Sequence, residues 1–347
     1  MSEKRKTARH EELLPLYRTR EDDRIECLVC AHGCRLKDGH VGLCGVRRRI
    51  DDRLVSLVYG RVVAENIDPV EKKPLFHVLP GSLSFSIATP GCNFRCLHCQ
   101  NSSISQVSKN DDVQAAGTYR LPESVVERAL AGGCQSISYT YVEPTVFFEY
   151  GYDCCLAAMD HGLKNIFVSN GYMTETVMRA LAPVLTAINI DLKSFSDAFY
   201  KKVCGARLAP VLAAIRRLKE LGVWVEVTTL IIPGMNDTET ELAEMASFLA
   251  GVDKDIPWHV TGFYPAYKML GVAPTGGQIL TRARQIGIEQ GLHYVYTGNR
   301  PGSGGENSYC PSCGMEILRR YGFKVGADHL IDGRCPSCST PIAGVWI

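Results

Sequence analysis

Fifteen cysteines in a chain of 347 residues constrain this sequence more than any other feature. Their number is odd, which argues against a closed disulfide framework, and their grouping argues for metal ligation. One group is Cys27, Cys30, Cys34 and Cys44, a second is Cys92, Cys96 and Cys99, and a third is Cys310, Cys313, Cys335 and Cys338. Cys134, Cys154, Cys155 and Cys204 stand apart.

The second group lies inside a long stretch, from about residue 83 to residue 297, in which short β-rich runs alternate with helix-compatible segments. The expected strands are 83–89, 136–141, 165–169, 187–192, 223–231 and 258–263, with a seventh candidate at 293–297. The segment PESVVERALAGG carries proline early and glycine at its end, and TETELAEMASFLAG starts on Thr and Glu, as helices do. Regular βα alternation implies right-handed parallel crossovers. The expected fold class is therefore α/β, a partial TIM-like (β/α)6 barrel, although a doubly wound open sheet has the same local pattern. The expected divisions are a cysteine-rich region at 1–82, the barrel at 83–300 and a terminal zinc-ribbon segment at 301–347. The apolar run Leu54 to Val63 predicts a strand pair in the first region, and DPVEKKPLFHVLPGS a proline-broken connection laid on the barrel. RPGSGGENS has linker composition.

Charge excludes some functions. Lys plus Arg is 38 against 37 for Asp plus Glu, so no global field recruits nucleic acid or an anionic membrane. Lys4, Arg5 and Lys6 are followed by Glu11, Glu12, Glu21, Asp22 and Asp23 and read as a solvated tail. No apolar run approaches the roughly 20 residues of a membrane helix, and the start has no signal-peptide core, so a cytoplasmic protein is expected.

The chemistry sits in PGCNFRCLHCQN, directly after the first barrel strand. The carboxyl ends of barrel strands are where active-site loops converge. Thiolates hold iron–sulfur clusters, and three ligands from one loop leave one of four irons open. An open iron can chelate the amino and carboxylate groups of S-adenosylmethionine (SAM), and an electron through the cluster then breaks the sulfonium C–S bond. The competing reading is structural zinc with His98 as a fourth ligand; zinc sites more often use cysteine pairs. At the chain's end, Cys310-x2-Cys313 and Cys335-x2-Cys338 have the spacing of two zinc knuckles on one tetrahedral ion. Arg319, Arg320 and Lys324 between them lack the wider basic surface that nucleic-acid binding requires. Cys27, Cys30, Cys34 and Cys44 suit either four-thiolate zinc or an auxiliary Fe–S cluster. The knuckle-like turn Gly42-Leu43-Cys44-Gly45 favours zinc, and His32 is a spare ligand.

The C-x3-C-x2-C spacing after the first strand resembles the hallmark of the radical SAM superfamily. The wider pattern CLVCAHGC, GLCGVR, DPVEKKPLFHVLPGS, SYTYVEP, VSNGY, NIDLKSF and VCGARL is similar to its glycyl-radical-activase-like branch. It most resembles the radical SAM enzymes of the AmmeMemoRadiSam system, over nearly the whole chain. The resemblance implies a [4Fe-4S] cluster on Cys92, Cys96 and Cys99, with SAM, a low-potential donor of flavodoxin or ferredoxin type, and Memo-like and AMMECR-type partner proteins.

Expected SAM contacts lie at successive strand ends. Glu143 in TYVEP stands where the superfamily has Gly-Gly-Glu-Pro, with Tyr141 and Val142 replacing the glycines; its carboxylate suits the SAM ammonium group, or it is a helix-start acid. Asn170 offers an amide to SAM or forms a turn with Gly171. Asp191 and Lys193 share one side of a strand end and bind SAM or pair with each other. His98 stacks on adenine or faces solvent, and Gln100 completes the expected SAM set. Cys204 in KKVCGARL is a candidate catalytic thiol donating a hydrogen atom, against a packing role. The function expected is hydrogen abstraction by a 5′-deoxyadenosyl radical, from a partner protein or else from a small molecule or nucleoside. The alternative class, a metal-scaffolded electron-transfer or binding module, needs no SAM contacts.

Overall fold

The structure, a computed structural model, describes residues 16–20, 22–107, 112–300, 302 and 304–346. The charged start with Lys4, Arg5 and Lys6 lies outside the described residues. Eight strands form the main sheet: β1 (Ala64–Pro69), β2 (Leu83–Ala88), β3 (Ser136–Tyr139), β4 (Lys164–Ser169), β5 (Ala187–Asp191), β6 (Trp224–Ile231), β7 (Trp258–Gly262) and β8 (Val295–Gly298). They pair strictly in chain order; β1 runs antiparallel to β2 and every later pair is parallel. This order has no reversal point, which sets it apart from the doubly wound alternative. Six helices fill the crossovers: α1 (Pro122–Ala131), α2 (Phe148–Met159), α3 (Glu175–Leu181), α4 (Leu208–Glu220), α5 (Glu239–Val252) and α6 (Gly277–Glu289). The sheet is thus mixed, and its edge strand β1 comes from the segment before residue 83.

Local chemistry explains the elements. Helix α1 begins with Pro122 at its first position, where the missing N–H costs nothing, and ends at Gly132. Helix α5 starts on Thr238, whose hydroxyl accepts the Glu241 N–H at 3.3 Å. The reciprocal half of a capping box is missing, because Glu241 accepts instead from the Ser194 hydroxyl and from the Phe195 N–H at 2.7 Å. It therefore anchors the loop after β5. The strand pair expected at 54–63 falls differently: Arg47–Ile50 pairs with Arg53–Ser56, and Arg61–Val62 pairs with Thr118–Tyr119. The apolar run contributes to two separate pairings because the glycine turn at Gly60, at φ 72°, divides it.

The two faces of the parallel strands differ. Phe85, Ile87, Ile137, Tyr139, Phe167, Ile188, Ile190, Val225, Val227 and Val260 pack with α1 to α6 in one apolar core. The alternate positions carry Ser86, Ser138, Asn189, Glu226, His259 and Tyr296, all buried. Segment 70–82 and the terminal segment supply partners to part of this polar face. Asn189 donates to the Pro74 carbonyl at 2.7 Å, and the N–H groups of Phe76 and His77 donate to Glu226 at 3.0 and 2.8 Å. Val70, Leu75 and Val78 pack on Ile166 and Ala187, near the amino ends of β4 and β5, so the proline-broken connection closes that end of the sheet.

The terminal segment folds as three antiparallel strands, β9 (Ser308–Tyr309), β10 (Glu316–Tyr321) and β11 (Lys324–Asp328). It is bound to the same end. Buried Arg320 donates to the Phe76 carbonyl at 2.6 Å and to Ser308 Oγ at 2.8 Å. His77 bridges the Ala343 carbonyl at 2.7 Å and the Tyr296 hydroxyl at 2.6 Å. A neutral imidazole meets both needs, one nitrogen donating to the carbonyl and the other accepting from the hydroxyl.

Burial lowers the His77 pKa to about 4. The unfolded imidazole, near 6.5, protonates first, so between those values the unfolded state binds more protons and stability falls as pH falls. The expected slope from this group is up to about 1.4 kcal/mol per pH unit. Urea unfolding between pH 6.5 and pH 4 checks it, and His77→Gln flattens the dependence if His77 is its source.

Candidate active site

The triad loop leaves the carboxyl end of β2 and is fixed by a chain of polar contacts that starts at Glu143. This residue is 2 % exposed and caps the turn Pro144–Phe147. Its Oε1 accepts from the Thr145 N–H at 3.1 Å, the Thr145 hydroxyl and the Ser169 hydroxyl at 2.8 Å; its Oε2 accepts from the Asn170 N–H at 2.7 Å. Burial pushes this carboxyl up, and the donors pull it back. Oε2 keeps acceptor capacity beyond its one protein donor. The helix-start and SAM-facing readings are thus compatible in one carboxylate.

Asn170 relays this order to the triad. Its Oδ1 accepts the Tyr172 N–H at 3.0 Å, closing a turn over Gly171, while its Nδ2 donates to Asn93 Oδ1 at 2.7 Å and approaches Cys92 Sγ at 4.0 Å. Asn93 stands inside the triad and was not singled out from sequence; its place between two cysteines was the available signal. Gly91, at φ 97°, lets the loop start against the first cysteine region: a Cβ there would lie 2.5 Å from Val46 Cγ1 and 3.0 Å from the Cys44 carbonyl oxygen. Arg95 donates to the Leu43 carbonyl from the same loop.

The remaining expected residues fall as follows. Asp191 and Lys193 form an ion pair at 3.0 Å, with Lys193 the more buried partner. Burial works against the Lys193 charge, but Asp191 and the cysteines hold its pKa well above the ordinary value. His98 is buried rather than solvent-facing, and burial, with the charge of Lys193, lowers its pKa to about 3. Gln100 is exposed at the loop's end. Cys204 is fully buried in the turn Tyr200–Cys204, beneath the triad loop. Its carbonyl accepts the Arg95 N–H at 2.8 Å, and that of its neighbour Val203 accepts the Leu97 N–H at 3.0 Å. The connection carrying Cys204, which leaves the carboxyl end of β5, therefore braces the triad loop through its backbone.

The triad offers three thiols, the soft ligands that iron–sulfur clusters take. Two buried polar atoms in the loop, Asn93 Nδ2 and His98 Nδ1, have no protein partner, as fits a loop that meets a polar ligand. The terminal quartet is arranged differently. The sulfurs of Cys310, Cys313, Cys335 and Cys338 all lie within 4.8 Å of one another, with Cys310 to Cys338 and Cys313 to Cys335 each at 3.6 Å. Among the described residues no helix is long and apolar enough to cross a membrane.

Tyr141 holds a left-handed backbone, at φ 66°. Its carbonyl accepts from Asn101 at 2.8 Å, its hydroxyl donates to Asp68 at 2.6 Å, and Lys73 sits 4.7 Å above its ring. Burial opposes the Asp68 charge, yet hydrogen bonds from Lys72, Lys73 and Tyr141 hold its carboxyl below the usual range. These contacts offset the left-handed strain. Tyr141→Ala and Tyr141→Gly remove the same ring contacts and differ in backbone strain, so the glycine variant is expected to be more stable by about 1 kcal/mol. Urea unfolding of both variants measures the difference, and equal stability refutes the strain.

Residues 86–249 match the Radical SAM superfamily. The chain is 43 % identical over 329 residues to the uncharacterized protein MJ0808 of Methanocaldococcus jannaschii, covering 94 % of this chain and 97 % of that protein. It is 23 % identical over 208 residues to the pyruvate formate-lyase-activating enzyme of Staphylococcus aureus, covering 56 % of this chain and 81 % of that one. Among solved structures, Streptococcus suis SuiB bound to S-adenosylmethionine aligns with a TM-score of 0.49 at 13 % identity, over 66 % of this chain and 53 % of SuiB. The superfamily works with SAM and an Fe–S cluster. The chain belongs to one family with MJ0808 and is a radical SAM enzyme, distantly homologous to pyruvate formate-lyase activating enzymes.

Proposed function

We propose that this chain is an activase-like radical SAM enzyme whose Cys92, Cys96 and Cys99 hold a [4Fe-4S] cluster with SAM bound beside it, and whose reaction is hydrogen abstraction from a residue of a partner protein. The observation that carries the reading is the Glu143, Asn170, Asn93 chain, which fixes a three-thiol loop at the carboxyl end of β2. When bound, the cluster and SAM supply, with one electron, a 5′-deoxyadenosyl radical. The chain's own residues do the positioning. Glu143 Oε2 offers its remaining acceptor capacity to the SAM ammonium group, and Asn170 and Asn93 hold Cys92 in place. Asp191 is a further acceptor, while Lys193 balances the thiolate charge. His98, kept neutral by burial, presents an imidazole face to adenine, with Gln100 at the loop's outer edge.

The partner-protein reading draws on distant relatives named as activating enzymes. With it go a curled, partial-barrel sheet, a cytoplasmic setting, an electron donor of flavodoxin or ferredoxin type, and membership of the AmmeMemoRadiSam system with Memo-like and AMMECR-type partners. The terminal quartet we assign to zinc in a ribbon: its 3.6 Å sulfur separations suit four thiolates around one ion, which stand about 3.8 Å apart.

Anaerobically reconstituted protein is expected to release 5′-deoxyadenosine with dithionite, and Cys92→Ala, Cys96→Ala or Cys99→Ala to abolish it. Normal SAM cleavage by all three variants overturns the assignment. Deuterium transfer into 5′-deoxyadenosine from a labelled partner protein supports the activase reading, and transfer from a labelled small molecule replaces it with small-molecule modification.

Removing Cys310 and Cys313 together is expected to lower zinc by about one ion per chain. It also exposes the last segment to protease, because so small a unit depends on its metal to fold. Unchanged zinc and unchanged protease sensitivity refute the ribbon assignment.

A further inference from the structure

Thiolate ligands carry excess negative charge, and the hydrogen bonds they accept help to set the reduction potential of the cluster they hold. Cys92 Sγ accepts the Phe94 N–H at 3.4 Å, a backbone contact that does not depend on the side chain at 94. Cys99 is served by a side chain instead. The hydroxyl oxygen of Ser105 lies 3.1 Å from Cys99 Sγ.

Ser105 ends the single helical turn Ser102–Ser105 that follows the triad loop, and it is 2 % exposed. Its N–H donates to the Asn101 carbonyl at 3.0 Å, and the Asn101 side chain donates to the Tyr141 carbonyl at 2.8 Å. The neighbouring Ile104 carbonyl accepts the Gly91 N–H at 2.9 Å. The turn is thereby tied both to the start of the triad loop and to the segment that carries Glu143.

The direction of the hydroxyl follows from Gln106. Its side-chain amide lies 3.4 Å from the Phe94 carbonyl, and against a carbonyl oxygen it must present its NH2. The same NH2 donates to Ser105 Oγ at 3.1 Å. Ser105 is therefore an acceptor on that side, and its one hydrogen is left for Cys99. A thiolate ligand has no hydrogen of its own, so the bond runs from Ser105 to sulfur, and burial keeps water from competing for it.

We propose that Ser105 is a positioning residue that acts through Cys99: its hydroxyl donates to the Cys99 thiolate and raises the reduction potential of the triad cluster, with Gln106 fixing the donor's direction. The bond disperses negative charge from sulfur and so favours the reduced cluster, which holds one electron more, over the oxidised one. That electron comes from the low-potential donor of flavodoxin or ferredoxin type, and Ser105 neither gains nor loses a proton. The proposal rests on the radical SAM reading of the triad.

Ser105→Ala removes the donor and keeps the turn, since alanine is the best helix former. The full chain, reconstituted anaerobically with iron and sulfide, is titrated to its midpoint potential by electron paramagnetic resonance. Cys27, Cys30, Cys34 and Cys44 line a separate cavity, so the signal followed is the one that changes when SAM is added, because SAM needs the open iron. Ser105→Ala is expected to keep its iron and to make reduction about tenfold less favourable, a shift of about 59 mV to lower potential. Ser105→Thr, which retains the hydroxyl, is expected to stay near wild type. In deuterium oxide the wild-type signal is expected to show an exchangeable hydrogen coupling that Ser105→Ala lacks. An unchanged potential in Ser105→Ala overturns the proposal and leaves the radical SAM reading intact, and so does loss of its iron, which makes Ser105 structural. A wild type with no signal that responds to SAM overturns the radical SAM reading and the proposal with it.

Discussion

The site depends on keeping one buried carboxylate satisfied. Glu143 lies out of water at the junction of two strand ends, where an unpaired charge would cost several kcal/mol. Three of its four donors belong to Thr145 and Ser169, and the fourth is the Asn170 N–H. Satisfying the charge therefore sets the backbone of Asn170, whose side chain then reaches Asn93 inside the triad. Asn93 in turn presents its carbonyl to His32. A line of hydrogen bonds thus runs from β3 through β4 and the triad loop to the first cysteine group. Each link needs the one before it.

The opposite end of the sheet is organised on the same principle with different groups. Glu226 is fully buried and accepts from the Phe76 and His77 N–H groups, from Trp224 and from His259. Burial penalises its charge, but these partners keep its carboxyl below the ordinary range. Because segment 70–82 supplies two of those donors and the terminal segment supplies Arg320 and the Ala343 carbonyl, three stretches distant in sequence converge on one end. The carboxyl end is left to the triad loop. A parallel sheet with one apolar face for its helices and one polar face for these networks makes that division of labour.

Much of this was legible in the chain because it is written in short-range pattern. The seven parallel strands lie within a few residues of their expected bounds, since buried parallel strands are short apolar runs bounded by turn residues. The tight spacing of Cys92, Cys96 and Cys99 put all three on one loop, and its place after β2 follows from that pattern. What the pattern hid was the polar half of each strand. Ser86, Ser138, Asn189 and Glu226 read as interruptions of apolar runs until the sheet aligns them on one face.

The sequence by itself therefore determined the order of the elements, the triad's position at a strand end and the pairing of the terminal knuckles, since all three rest on spacing between near neighbours. Only the tertiary structure decided that Asp191 pairs with Lys193, that the Cys204 carbonyl accepts from the triad loop, that Tyr141 adopts a left-handed backbone, and that the first cysteine group lines one cavity. The physical reason is that each depends on which groups compete for the same buried donors and on how closely separate loops approach. Those quantities exist only once burial has removed water as the alternative partner.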